Sequence, residues 1–109
     1  MTTTYHNPVE ATLSVIGGKW KVVILCLLKE TDTMRFSDLQ RAIPDITKKM
    51  LSQQLRELEA DHIIHRTVYD EMPPRVEYSL TSEGETMRPM LNAMCAWGSR
   101  KMGQQAECE

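Results

Sequence analysis

The sequence lacks most of what would mark a secreted, metal-binding or membrane protein. It has three cysteines, Cys26, Cys95 and Cys108, with no CxxC pair and no Cys/His cluster, which disfavours zinc ligation and a disulfide framework. His6, His62 and His65 share no metal-ligand spacing. No long hydrophobic run occurs. The longest, Val22 to Leu28, is bracketed by Lys21 and Lys29 and is too short to cross a bilayer. The start, MTTTYHNPVE, has neither the basic residues nor the apolar stretch of a signal peptide, so a cytoplasmic location is expected. Gly17-Gly18-Lys19 lacks the flanking residues of a phosphate loop and reads as a break between helices. No nucleophile, base and orienter are legible as a set. Neither an enzyme nor a cofactor is expected.

An excess of positive charge is also missing, since the formal net charge is −2. Phosphate recognition depends on where the cations lie rather than on their sum. From Arg35 to Arg56 five basic residues (Arg35, Arg41, Lys48, Lys49, Arg56) face two acidic ones (Asp38, Asp45), and Glu57, Glu59 and Asp61 follow directly. With 109 residues, 41% hydrophobic and 26% charged, the chain reads as one globular domain over 1–109. Its tail, 103–109, is polar and expected to fray.

Hydrophobic spacing then gives the element order. Asn7-Pro8 is an N-cap followed by a proline at the first helical position, and Val9, Leu13 and Ile16 share one face of that helix. A second helix runs from Lys19 to Lys29. Ser37 and Gln40 stand at capping-box spacing ahead of a short helix ending near Ile43, where Pro44 stops it. Thr47 is an N-cap for the next helix, whose Leu51, Leu55 and Leu58 fall on one side. Ile64–Tyr69 and Val76–Leu80 alternate as strands and are joined by residues 70–74 into a hairpin. Thr81 or Ser82 opens a final helix with a stripe of Met87, Met90, Leu91, Met94 and Trp97.

Two short helices, a tight turn and then a hairpin are the order of a winged helix-turn-helix, mainly α with a small β-hairpin. In such a fold the second helix packs one side on the domain and turns the other to base edges in the major groove. Lys49, Ser52 and Gln53 supply suitable donors and acceptors: lysine for guanine O6 and N7, glutamine for adenine, serine for either. Thr47, Lys48, Arg56 and Ser37 suit phosphates, which position without specifying sequence. The competing interpretation is a solvated amphipathic helix, or a winged helix whose polar face meets a partner protein. The hairpin directly after the helix favours double-stranded DNA.

The segments NPVEATLSVIGGKWKVVIL, MRFSDLQRAIPDITKKMLSQQLRELEADHIIHR and PPRVEYSLTSEGE resemble the HxlR family of bacterial winged-helix regulators, a MarR-like group. The resemblance covers about residues 7–98. It implies a homodimer acting on a pseudo-palindromic operator, most often as a repressor, with DNA read by the helix that begins at Thr47 and contacts from the wing, where Arg75 is the candidate. The N- and C-terminal helices would form the dimer interface through Val9, Leu13, Met87, Met90, Leu91, Met94 and Trp97. Family members that sense electrophiles or oxidants commonly carry a cysteine just before the N-terminal proline. Here that residue is Asn7, so a redox role would fall to Cys95 or Cys108, and Cys26 reads as a core residue. The effector is left unassigned.

Overall fold

The computed structural model describes residues 4–103, and residues 104–109 of the expected tail, Cys108 included, lie outside them. The first helix, α1 (Pro8–Ile16), is capped as its sequence suggests: Asn7 Oδ1 accepts the Glu10 N–H at 3.0 Å, and the Glu10 carboxylate accepts the His6 N–H at 2.9 Å. It ends at Gly17, and Gly18 takes φ +98°, a backbone state that side chains resist. The chain then turns into α2 (Lys21–Thr31), which begins two residues later than the apolar spacing indicates. Ile24, Leu25 and Leu28 of this helix are fully buried.

A two-residue strand, β1 (Met34–Arg35), precedes α3 (Phe36–Ala42). The cap of α3 differs from the expected one. Ser37 lies inside the helix, and the Asp38 carboxylate instead accepts the Arg35 N–H at 3.1 Å. After the turn at Pro44–Ile46 comes α4 (Lys48–Ala60), where Thr47 Oγ1 accepts the Met50 N–H at 3.1 Å. Leu51, Leu55 and Leu58 of α4 enter the core beside Leu39, Ile43 and Ile46. Each such leucine contributes on the order of 2 kcal/mol by leaving water.

The hairpin is β2 (Ile64–Tyr69) and β3 (Arg75–Leu80), antiparallel, with Ile64 opposite Leu80 and Tyr69 opposite Arg75. On the other edge of β3, β1 pairs Met34 with Tyr78. The sheet is therefore three-stranded, in the order β1-β3-β2, and the wing is tied to the start of α3. Thr81 fastens the base of the hairpin. Its hydroxyl lies 2.6 Å from the His62 carbonyl and accepts the Gly84 N–H at 3.0 Å. A Cβ on Gly84 would sit 2.3 Å from the Ile63 carbonyl oxygen, so only glycine permits this approach.

The expected single C-terminal helix is two: α5 (Ser82–Glu85) and α6 (Arg88–Lys101), with a proline in the first turn of the second. Pro89 cannot continue an i→i−4 ladder from the preceding turn, and this forces the break. Arg88, paired with Glu85, donates to the Lys29 carbonyl at 3.2 Å, joining the end of α2 to the start of α6. Among the described residues no single helix is long and apolar enough to cross a membrane.

Candidate nucleic-acid interface

Leucines at 51, 55 and 58 fix the roll of α4 about its axis, so the residues about 180° away must face out. Lys48, Lys49, Gln53 and Arg56 are exposed, and Ser52 lies at the margin. These five come together on one surface, as the amphipathic pattern requires. The Arg56 guanidinium donates to Ser52 Oγ at 2.8 Å, so two of the expected contacts touch each other. Thr47 is exposed at the helix start. Ser37 is exposed on the preceding helix.

The wing side of α4 holds a residue that the sequence reading passed over. Arg66 projects from β2 into a cleft of about 400 Å³ lined also by Ser52, Leu55, Arg56, Glu59 and Tyr78. Its one ion pair in the cleft is long, 3.5 Å to Glu59, and its side chain is 48% exposed. Tyr78, opposite Arg66 on β3, has its phenol pushed above the usual range by burial, so it stays a neutral donor and acceptor. The signal was present in the alternation of β2, which puts Arg66 on the face of Ile64 and therefore towards α4.

Arg75 is placed differently. Its guanidinium meets Glu77 at 2.8 Å and Glu71 at 2.9 Å and lies 3.8 Å from the centre of the Tyr69 ring. Burial works against its charge, but the two carboxylates hold its pKa above the ordinary value. The structure thus engages Arg75 inside the wing, where its charge is already matched.

On the α2 side of the same helix, Lys21 Nζ lies 2.6 Å from Glu57 Oε1, and Gln53 Nε2 donates to Glu57 Oε2 at 3.2 Å. Hydrogen bonds from Lys21 and then from Gln53 hold the Glu57 carboxyl below the usual carboxylate range.

The residues expected at a dimer interface separate into three groups. Val9, Leu13, Met94 and Trp97 are 65%, 57%, 46% and 62% exposed. Met87 and Met90 are half-buried against the core. Leu91 is a correction, because it is fully buried in the core and has no surface left for a second chain. The α6 stripe is wide: Leu91 and Trp97 are about 120° apart around the helix, so it faces two ways. Cys26 is half-buried, packed against the core rather than within it, and burial pushes its thiol up. Cys95, on α6, lies with Cys26 and Met94 along an open apolar groove. No group of three or more His, Cys, Asp or Glu able to hold a metal ion occurs among the described residues.

Comparison with known proteins gives this geometry its context. The family model for the HxlR-like helix-turn-helix matches residues 15–106. The HTH-type transcriptional regulator YtcD of Bacillus subtilis is 53% identical over 100 residues, covering 92% of this chain and 79% of that one. An HTH-type transcriptional regulator of Methanothermobacter thermautotrophicus is 52% identical over 94 residues, covering 86% of this chain and 71% of the relative. Among solved structures, the redox regulator HypR in its oxidized form superposes with a TM-score of 0.83 at 50% identity, over 86% of this chain and 96% of that chain. The winged helix-turn-helix architecture is shared with these proteins, and the chain belongs to the HxlR-like helix-turn-helix family of transcriptional regulators.

Proposed function

We propose that this regulator binds double-stranded DNA sequence-specifically as a homodimer and represses by occupying a pseudo-palindromic promoter site. The observation that carries this reading is the outer face of α4: Lys49, Ser52 and Gln53 beside Lys48 and Arg56, held outward by three buried leucines. Lys49, Ser52 and Gln53 meet base edges; Thr47, Lys48, Arg56 and Ser37 meet phosphates. Arg66 adds a second cation to the cleft between α4 and the wing, and a phosphodiester strand lying between the major and minor grooves would pass there. Arg75, already matched by two carboxylates, contributes less.

The exposed apolar residues of α1 and α6 support the two-fold pairing. Apolar side chains left in water at these exposures gain free energy by covering one another. A dimer built on them presents two α4 helices to half-sites about one DNA turn apart.

Fluorescence anisotropy with labelled duplex from the protein's own promoter region, at two salt concentrations, tests the reading. Binding that weakens steeply with salt is the expected result, since each neutralised phosphate adds about 0.9 to the log–log slope. Gln53→Ala is expected to relax preference at one base pair by about 1–3 kcal/mol, whereas Lys48→Ala weakens all sequences alike. No duplex binding at low salt would instead favour a partner protein on the polar face.

A further inference from the structure

Glu57 is out of place by charge alone. An acidic side chain on a helix that enters a phosphate-lined groove opposes binding, yet the structure gives this one two well-defined partners. Lys21 is 8% exposed, and an ammonium so far removed from water needs a counter-charge. It holds Glu57 Oε1 at 2.6 Å. The other oxygen, Oε2, accepts from Gln53 Nε2 at 3.2 Å. The carboxylate therefore has one oxygen committed to Lys21 and one to the glutamine assigned to a base edge.

A primary amide has one carbonyl and two N–H groups. Reading adenine uses the carbonyl, which accepts from N6, and one N–H, which donates to N7. The remaining N–H is the one a neighbouring acceptor can take without competing. An amide with no such neighbour turns over freely and presents its donor and acceptor in either order.

We propose that Glu57 is a positioning residue for specificity: anchored by Lys21, it takes one N–H of Gln53 and so fixes the direction of the amide, which then reads an A·T pair in one orientation only. This rests on the base-reading role proposed above for Gln53. Lys21 stands at the start of α2, just beyond the Gly17-Gly18 break, so the anchor belongs to the scaffold and not to the reading helix.

The two substitutions at position 57 have different signatures. Glu57→Ala removes the acceptor and frees the amide. Glu57→Gln keeps the volume but offers a single carbonyl, which the buried Lys21 ammonium claims. Its NH₂ then faces Gln53, whose own carbonyl must turn to meet it. The isosteric change therefore reverses the amide, an outcome that loss of packing would not produce.

The test begins by selecting bound duplexes from a random library with the unmodified protein. The base pair that Gln53→Ala relaxes is then identified, and anisotropy compares A·T with T·A at that pair. The unmodified protein is expected to prefer one orientation by about tenfold. Glu57→Ala should bring the two within about threefold, and Glu57→Gln should bring them to parity or reverse them. Affinity of both variants for random duplex should hold or rise, because a negative charge has left the interface. Retention of the original orientation preference by Glu57→Gln would overturn the proposal. So would a parallel loss of specific and random binding together with a lowered melting temperature in both variants, which would mark a structural role. If Gln53→Ala relaxes no base pair although the unmodified protein binds selectively, it is the base-reading assignment that fails.

Discussion

The helices α4 and α6 are built alike on the inside and oppositely on the outside. Leu51, Leu55 and Leu58 of one and Leu91 of the other enter the same core. Outward, α4 shows lysine, glutamine and arginine, whereas α6 leaves Met94 46% and Trp97 62% exposed. Water tolerates the first face indefinitely, and an exposed polar helix needs no partner to explain it. The second face is costly in water and does call for a cover. The difference separates two kinds of surface in one small domain: one suited to a charged polymer, one to another apolar surface. Each can be disrupted without the other.

The largest expected effect comes from charging the apolar face. Trp97→Asp combined with Leu13→Asp should convert the proposed dimer to monomer by light scattering while thermal unfolding stays cooperative. Operator affinity should fall by about 10²- to 10⁴-fold, because the second half-site is no longer held at high effective concentration. Unchanged mass with unchanged affinity would remove α1 and α6 from the interface. Leu91→Ala, on the inner side of the same helix, should behave in the opposite way. Emptying a fully buried leucine site costs about 2–5 kcal/mol, read as a drop in melting temperature of roughly 10 °C or more. Below that temperature the variant should retain its oligomeric state.

Leu91 and Trp97 also show where sequence stops being informative. Periodicity places Met87, Met90, Leu91, Met94 and Trp97 on one broad arc, but it does not divide the arc into a side for the core and a side for a partner. That division depends on how Arg88 and Pro89 set the start of α6 against the end of α2, a long-range contact. By contrast, α4 was legible almost to the residue, because Thr47 marks its start and three leucines fix its roll. The strand β1 has only two residues and no alternation to detect. Charge told least in the wing: Arg75 stands out beside Pro73-Pro74, yet its partners Glu71 and Glu77 come from the loop and the strand register, and Arg66 looks solvated until β2 is laid beside α4.

The two arginines allow the polar side of the comparison to be sharpened. Arg66→Gln should lower the log–log salt slope of duplex binding by about 0.9, the value of one phosphate, with base preference intact. Arg75→Gln should leave the slope nearly unchanged, since the guanidinium is already paired with two carboxylates. Equal slopes for both variants would place the phosphate elsewhere than in the α4–wing cleft.

The smallest expected effect is on stability in acid. Glu57 is held below the usual carboxylate range by hydrogen bonds from Lys21 and Gln53, and Glu85 by its hydrogen bond from Arg88. A folded-state pKa lowered in this way contributes stability that is present above the unfolded value, about 4.3 for glutamate. That contribution is lost as the pH falls through the folded value, because the unfolded chain binds protons first. The melting temperature should therefore be level above about pH 5 and decline below about pH 4. Lys21→Met removes the ammonium from beside Glu57 and should make the decline shallower, leaving the parts owed to Gln53 and to the Glu85–Arg88 pair. A decline as steep as in the unmodified protein would mean that Glu57 does not titrate through its link to Lys21, and that the α2 side of α4 is fixed by packing alone.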